Sequence, residues 1–309
     1  MKSILITSLA LILFNLLACT SIDKNELKKA NQGMEVITVG DMNFSVRIAG
    51  PKTGELVVLL HGFPQTSFSY RHQIKVLADA GYRVIAPDQR GYSEGARPPQ
   101  IADYDIDLLV ADVLNLAKSQ GAKTFHLVGH DWGSVVAWHI ADRHPEKLKT
   151  FTSLSIPHLR AFKEAMTDPK CEQGEKSGYI KSFVKKESER TYLMAGKAGL
   201  RMIYKDLPEL DRDYYLEVLG KEDALRSALN WYRAYFGVQK ERKPLGKVAV
   251  KTLLIYGEKD IAIGPCGVKN TAKYMKDGAY TLKSLPESGH WLLESDSSKI
   301  SAWLLAHLK

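Results

Sequence analysis

The sequence predicts a doubly wound α/β fold: a mainly parallel sheet with one helical insertion. Three observations carry this. Short continuous apolar runs recur along the chain, amphipathic helical patterns separate them, and the alternation stops between about Pro157 and Leu245. Strands alternating with helices put helices on both faces of a parallel sheet. Strands covered on both faces read as unbroken apolar runs.

In chain order, Val36–Val39 and Phe44–Ile48 predict an opening hairpin around Gly40-Asp41. Leu56–Leu60 (LVVLL) is apolar throughout and ends at His61-Gly62, as a doubly buried strand should. Arg83–Ala86, Phe125–Val128, Phe151–Leu154, Thr252–Tyr256 and Tyr280–Leu285 predict further strands. Helical patterns fall roughly at 66–80, 103–119, 133–143, 266–276 and 297–308; in the last, Ile300, Trp303, Leu304 and Leu308 share one face. The stretch from Pro157 to Leu245 is rich in helix formers, Lys, Glu and Tyr, and has no strand pattern. Ala224, Leu225, Ala228, Leu229, Tyr232 and Tyr235 form an apolar stripe within it. A helical lobe over 158–245 is expected, set above the carboxyl ends of the strands where such sheets bind ligands. Residues 36–157 and 246–309 would form the α/β core. The plainer alternative is a helical layer that only packs.

The chain's 309 residues, 45% hydrophobic and 25% charged, suffice for one large core or a core with a smaller lobe. The net charge of +8 is scattered among acids, as in Lys185-Lys186-Glu187-Ser188-Glu189-Arg190, which reads as solvated surface. Such an excess favours an anionic membrane surface and does not make a nucleic-acid patch. The three cysteines have no zinc spacing and no Gly-rich phosphate loop is present, so neither a metal nor a cofactor is expected.

Lys2, the apolar run Ile4 to Leu17 and then Leu16-Leu17-Ala18-Cys19 fit a secretory signal over residues 1–18. The run is shorter than the ~20 residues that span a bilayer. Cysteine directly after a small residue resembles the lipobox of bacterial lipoproteins. That resemblance implies an acylated Cys19, a polar tether over 19–35, and a lipid-anchored protein in the cell envelope outside the cytoplasm. Thr20 after it suggests the outer membrane if the cell is Gram-negative. A plain cleaved signal or a membrane-retained N-terminus is the alternative. Cys171 and Cys266 would remain; an oxidising compartment permits a bridge, but unpaired buried thiols are the expected state.

Chemistry enters at the strand FHLV, which runs into Gly129-His130-Asp131-Trp132-Gly133 and then a helix. Gly-x-nucleophile-x-Gly between strand and helix is a nucleophile elbow, a tight turn that projects its tip residue into the crevice. The tip here is Asp131, not serine. A carboxylate is already ionised near neutral pH and attacks a saturated carbon bearing a leaving group, forming an alkyl ester that water cleaves. A salt-bridging or helix-capping aspartate is the alternative. Strand TLLIY ends in Gly257-Glu258-Lys259-Asp260, and strand YTLKSL ends in Pro286-Glu287-Ser288-Gly289-His290-Trp291. This is the chain order nucleophile, acid, histidine. His290 is expected to activate the hydrolytic water, and Asp260 to hold its tautomer. Glu258 is a second carboxyl two residues from Asp260. After the strand FTSL the chain continues Ser155-Ile156-Pro157-His158 with no acid, so Asp260 is favoured. His61-Gly62-Phe63-Pro64 follows LVVLL, where the backbone N–H groups of Phe63 and Trp132 would face an oxyanion; the alternative is only a tight turn.

Together HGFPQT, APDQRGYS, GHDWGS, GEKD and SGHW make the chain, over about residues 36–309, resemble the α/β-hydrolase superfamily and its epoxide hydrolase and haloalkane dehalogenase branch. The resemblance implies a mostly parallel eight-stranded sheet with an inserted helical cap. Epoxide hydrolases of the branch protonate the opening ring with two cap tyrosines, and Tyr179 and Tyr232 (in NWYR) match their motifs. A phenol of pKa about 10 is a donor at neutral pH, although Tyr232 also lies on the apolar stripe and could be a core tyrosine. Haloalkane dehalogenases hold halide with the indole after the nucleophile and often an Asn in the oxyanion loop; Trp132 is present here but the loop carries Phe63. Fluoroacetate dehalogenases use arginines; Arg90 exists, but none stands beside the elbow. The resemblance therefore implies hydrolysis of a small apolar epoxide, or another alkyl electrophile, to a vicinal diol. A haloalkane dehalogenase is the alternative, and a non-catalytic envelope binding protein the alternative of another class. Glu294-Ser295-Asp296 departs from the branch, whose members often carry proline there.

Overall fold

The computed structural model describes residues 31, 33–238, 240 and 242–309. The expected signal, Cys19 and most of the tether lie outside the described residues.

The strands are β1 (Met34–Val39), β2 (Met42–Ala49), β3 (Leu56–Leu60), β4 (Arg83–Pro87), β5 (Phe125–His130), β6 (Leu148–Leu154), β7 (Thr252–Gly257) and β8 (Tyr280–Leu285). They form one 8-stranded sheet in the order β1-β2-β4-β3-β5-β6-β7-β8. β1 pairs antiparallel with β2, and β2 antiparallel with β4. From β4 through β8 every pairing is parallel. The sheet is therefore mostly parallel, as expected, and every predicted strand is present.

Period-two alternation explains the unbroken run in β3. Val58 and Leu60 enter one apolar cluster, while Val57 and Leu59 enter the other, across the sheet. All five residues of β3 are buried, each contributing about 1.5–3 kcal/mol by leaving water. Helices α1 (Arg71–Asp79), α2 (Ile106–Ser119) and α3 (Trp132–Arg143) return the chain between strands. Leu109, Val113 and Leu116 of α2 and Val136 and Ile140 of α3 fill one cluster; Ile74 and Leu77 of α1 fill the other. The expected helix at 66–80 opens instead as a 3₁₀ turn, Ser67–Tyr70, because the Thr66 side chain accepts the Phe68 N–H. The pattern at 103–119 becomes α-helical only at Ile106, after a 3₁₀ turn at Ile101–Tyr104, and there the Asp105 carboxylate caps the Asp107 N–H.

Between β6 and β7 the described residues hold helices and no strand. These are α4 (Leu159–Thr167), α5 (Gln173–Lys176), α6 (Ile180–Phe183), α7 (Ser188–Ile203), α8 (Glu209–Leu219) and α9 (Glu222–Tyr232). α7 is two helical pieces, with non-helical backbone at Met194 to Lys197. α9 runs into a π-turn at Arg233–Gly237, which widens the helix just past Tyr232. Glu189, in a run expected to be solvated surface, is instead buried; Arg233 bonds it at 2.6 Å and Arg226 at 2.9 Å. That carboxylate ties the start of α7 to α9. After β7 come α10 (Pro265–Asn270), α11 (Leu292–Ser295) and α12 (Ser297–Leu308). Ile300, Leu304 and Leu308 of α12 join the cluster of α1.

The expectation of unpaired thiols is corrected: Cys171 and Cys266 form a disulfide, with Cα atoms 5.9 Å apart. Local sequence spacing could not reveal it because the two positions are 95 residues apart. Around it, the Gln173 amide donates to the Ala262 carbonyl at 2.8 Å and accepts the Gly264 N–H at 2.8 Å. Lys176 Nζ donates to the Asp260 carbonyl at 2.7 Å. The segment after α4 is thus fastened to the loop after β7. A bridge closing so long a loop restricts the unfolded chain, so Cys171→Ser should lower the unfolding free energy by about 2–4 kcal/mol. Urea unfolding of both proteins under oxidising conditions reads this; identical midpoints would show that the bridge contributes nothing.

Candidate active site

The site is built on the turn between β5 and α3. Asp131 has φ 49° and ψ −119°, a left-handed backbone that a non-glycine residue adopts only when its surroundings impose it. Two close approaches impose it. A Cβ on Gly133 would lie 2.1 Å from the Leu60 carbonyl oxygen, and one on Gly62 would lie 2.3 Å from Asp131 Cβ. Ser134 Oγ, one residue beyond the turn, donates to the Gly129 carbonyl at 2.6 Å.

The turn brings the Asp131 carboxylate under the loop after β3. Phe63 N–H donates to Oδ1 at 2.8 Å, and the peptide Phe63-Pro64 is cis. Asp131 is buried, and burial pushes its carboxyl above the usual range; the His290 charge and the Phe63 and Trp132 N–H groups pull it back. Both N–H groups expected at the oxyanion position therefore act on Asp131, and one oxygen of the carboxylate already occupies it.

His290 follows β8 and Asp260 follows β7, as predicted. His290 Nδ1 lies 3.0 Å from Asp260 Oδ2 and 3.1 Å from Oδ1, while Nε2 lies 3.8 Å from Asp131 Oδ2. Burial works against a charge on His290. The Asp260 carboxylate outweighs that, and with Asp131 raises its pKa to about 9. Burial also opposes the charge on Asp260. The His290 charge, the Ser155 hydroxyl and the Ala262 N–H overcome it and hold the acid below the usual range. Asp260 is fully buried, whereas Glu258 is exposed, and this separates the two carboxyls that the sequence left together.

Ser155 is a site residue that the sequence did not single out. Its Oγ donates to Asp260 Oδ2 at 2.6 Å and lies 3.4 Å from His290 Nδ1. Its φ of 75° is as unusual as that of Asp131. The signal available was a serine at the end of β6 where the acid was sought and not found.

Tyr179, preceding α6, and Tyr232, ending α9, reach the same place. With Asp131, His290, Phe63 and Phe183 they line a cavity of about 210 Å³. Their ring centroids are 6.3 Å apart, and Tyr232 stands edge-on to Phe63 at 5.2 Å and to Trp132 at 5.0 Å. Burial first, and then neighbouring groups that include the Asp131 carboxylate, raise both phenols above their ordinary value. Both are neutral donors at any physiological pH. Arg90 is engaged elsewhere, in a bidentate pair with Asp112 at 2.7 and 2.8 Å. Among the described residues, no cluster of three or more His, Cys, Asp or Glu could hold a metal ion.

The family model for the alpha/beta hydrolase fold matches residues 55–297. An AB hydrolase superfamily protein of Bacillus subtilis (strain 168) is 34% identical over 286 residues, covering 89% of this chain and 97% of that protein. Epoxide hydrolase A of Mycobacterium tuberculosis is 32% identical over 298 residues, covering 84% of this chain and 92% of its own length. The crystal structure of a Bacillus megaterium epoxide hydrolase in complex with an inhibitor superposes with a TM-score of 0.79 at 26% identity, over 89% of this chain and 99% of that one. The elbow, the sheet order and these matches together mean that the chain belongs to the α/β-hydrolase superfamily, and epoxide hydrolases are among its relatives.

Proposed function

We propose that this protein hydrolyses an epoxide to a vicinal diol through an ester on Asp131. The observation that carries the proposal is the pair of neutral phenols, Tyr179 and Tyr232, lining the same apolar cavity as a buried carboxylate. A carboxylate is a weak nucleophile and an alkoxide a poor leaving group, so the ring opens fast only when its oxygen receives a proton as the C–O bond breaks. Two phenols supply that donation, and they would be wasted on a halide. The names of the relatives point the same way. Helices over 158–245 act as a cap above the core of 36–157 and 246–309. A disulfide fits an oxidising compartment outside the cytoplasm, and anchoring there through Cys19 is a proposal from the sequence alone.

The chemistry follows from the two oxygens of Asp131. Oδ1 is held by the Phe63 N–H, so Oδ2 attacks the ring carbon. The ring C–O bond breaks, and its oxygen takes a proton from a phenol. The carboxyl is then a neutral ester, and the anion that helped to keep His290 charged is gone. The pKa of His290 falls from about 9, the imidazolium gives up its proton to restore the phenol, and neutral Nε2 then takes a proton from water. Hydroxide adds to Asp131 Cγ, and the Phe63 and Trp132 N–H groups stabilise the oxyanion on Oδ1. Collapse expels the diol oxygen, which receives the imidazolium proton, and the acid left on Asp131 passes its proton to His290, restoring carboxylate and imidazolium.

Incubating His290→Gln with epoxides and haloalkanes should label Asp131 with the epoxide carbon skeleton, read by mass spectrometry of the peptide. Labelling by haloalkanes alone would reassign the activity, and no labelling by either would remove the nucleophile. Tyr232→Phe should slow ester formation by roughly 10²-fold or more, the scale of a lost general acid, and leave ester hydrolysis little changed; rapid-quench kinetics separates the two steps. Asp131→Asn, which mimics the neutral ester, should lower the His290 pKa, as followed by NMR titration. An unmoved pKa would contradict the proposed release of the base.

A further inference from the structure

Behind His290 lies a buried polar chain that the reaction above does not use. His130 Nε2 meets the His290 backbone carbonyl at 3.0 Å, and His130 Nδ1 meets the Gln65 side chain at 3.0 Å. The other end of the Gln65 amide meets Glu294 Oε1 at 2.6 Å, which also accepts the Tyr215 hydroxyl at 3.0 Å. Glu294 Oε2 is buried and has no partner. His130 and Gln65 are fully buried.

Protons can be distributed along this chain in two ways. If Gln65 turns its carbonyl to His130, both ring nitrogens of His130 face carbonyl oxygens and both must donate. A buried imidazolium then stands off against a buried carboxylate that leaves one oxygen bare. Burying such separated charges is costly. If the amide is turned over, its NH₂ donates to His130 Nδ1 and its carbonyl faces Glu294. Two oxygens 2.6 Å apart require a proton between them, and that is an ordinary O–H···O distance. Amide oxygen and nitrogen are assigned by such reasoning and not by shape. Burial pushes His130 down to about 3 and Glu294 up to about 8, in keeping with the second arrangement.

We propose that Glu294 is a neutral carboxylic acid whose hydroxyl donates to the Gln65 carbonyl, fixing a one-way chain Glu294–Gln65–His130 that holds the His290 backbone in place. Glu294 is a positioning residue: it touches no reacting atom and acts on the base through two side chains. The groups facing it are Tyr215, the Gln65 amide, Tyr70, the His290 imidazole and the Arg71–Asp211 ion pair at 2.7 Å. The Arg71 cation is engaged by Asp211 and the His290 cation by Asp260, so neither is bonded to Glu294. The role of the chain rests on His290 being the base; the position of the proton does not.

Infrared difference spectra of wild type against Glu294→Gln at pH 6 should show the carbonyl stretch of one protonated carboxylic acid in wild type only. Its absence would overturn the proposal without touching the proposed reaction. The low-field Nδ1–H proton signal of His290, which needs no substrate, should persist in Glu294→Gln, whose amide still donates to Gln65. It should weaken or shift in Glu294→Leu, which leaves the Gln65 carbonyl bare. An unchanged signal in folded Glu294→Leu would end the positioning role. If Glu294→Leu does not fold, Gln65→Leu, which cuts the same chain, takes its place. An acid raised by folding ionises earlier in the unfolded chain, so wild type should lose stability between about pH 4.5 and 8. Glu294→Gln should escape that part of the loss; parallel pH profiles for the two melting temperatures would again count against a neutral Glu294. In turnover, Glu294→Leu should slow ester hydrolysis roughly 10-fold, the scale of one unsatisfied buried group, while Glu294→Gln restores it and ester formation is spared in both.

Discussion

The forced backbone at Asp131 is the constraint on which the rest of the site depends. A residue at φ 49° is unfavourable by itself, by about 1–3 kcal/mol, and persists only because neighbours leave no alternative. Those neighbours are the ends of β3 and the start of α3, which approach so closely that only hydrogen fits at Gly62 and Gly133. The same approach delivers the Phe63 N–H to the carboxylate. Strain, nucleophile and oxyanion donor therefore come from one contact between the end of a strand and the start of a helix, and the doubly buried sheet supplies the rigidity that keeps it.

Around that turn, charge is arranged in alternation. A histidine stands between two carboxylates, one hydrogen-bonded at 3.0 Å and the other held off at 3.8 Å. Asp260 is stabilised as an anion by Ser155 and two backbone N–H groups, so it keeps its charge whatever happens at Asp131. The asymmetry gives His290 one permanent and one removable counter-charge. A symmetric pair would have fixed its protonation for the whole cycle.

Much of this was legible in the sequence because it depends on local spacing. LVVLL, the Gly129 to Gly133 turn and the strand ends carrying Asp260 and His290 each announce themselves within a few residues, and the sheet orders them. Tyr232 was legible only through likeness to relatives, since a tyrosine on an apolar stripe is equally a core residue. What stayed hidden is what needs distant segments to meet. Ser155 looked like a missing acid, Glu189 like surface, and Cys171 like a free thiol, because their partners lie in other elements. Glu294 was visible as an oddity, but its chain through Gln65 spans 229 residues, and no pattern at short range could have closed it.

The covalent link between residues 171 and 266, with Gln173 and Lys176 beside it, makes the two edges of the helical insertion unequal. The edge near the Asp260 loop is held covalently, whereas elsewhere the insertion is tied to the core by non-covalent bonds, such as Arg71 to Asp211 and the Trp231 indole to the Arg90 carbonyl. α7, interrupted at Met194 to Lys197, contributes Tyr192 and Ile203 to the cavity wall. Smaller side chains at those two positions would make room for a bulkier guest without removing any bond to the acid or its histidine, so tolerance of size and precision of chemistry are assigned to different residues.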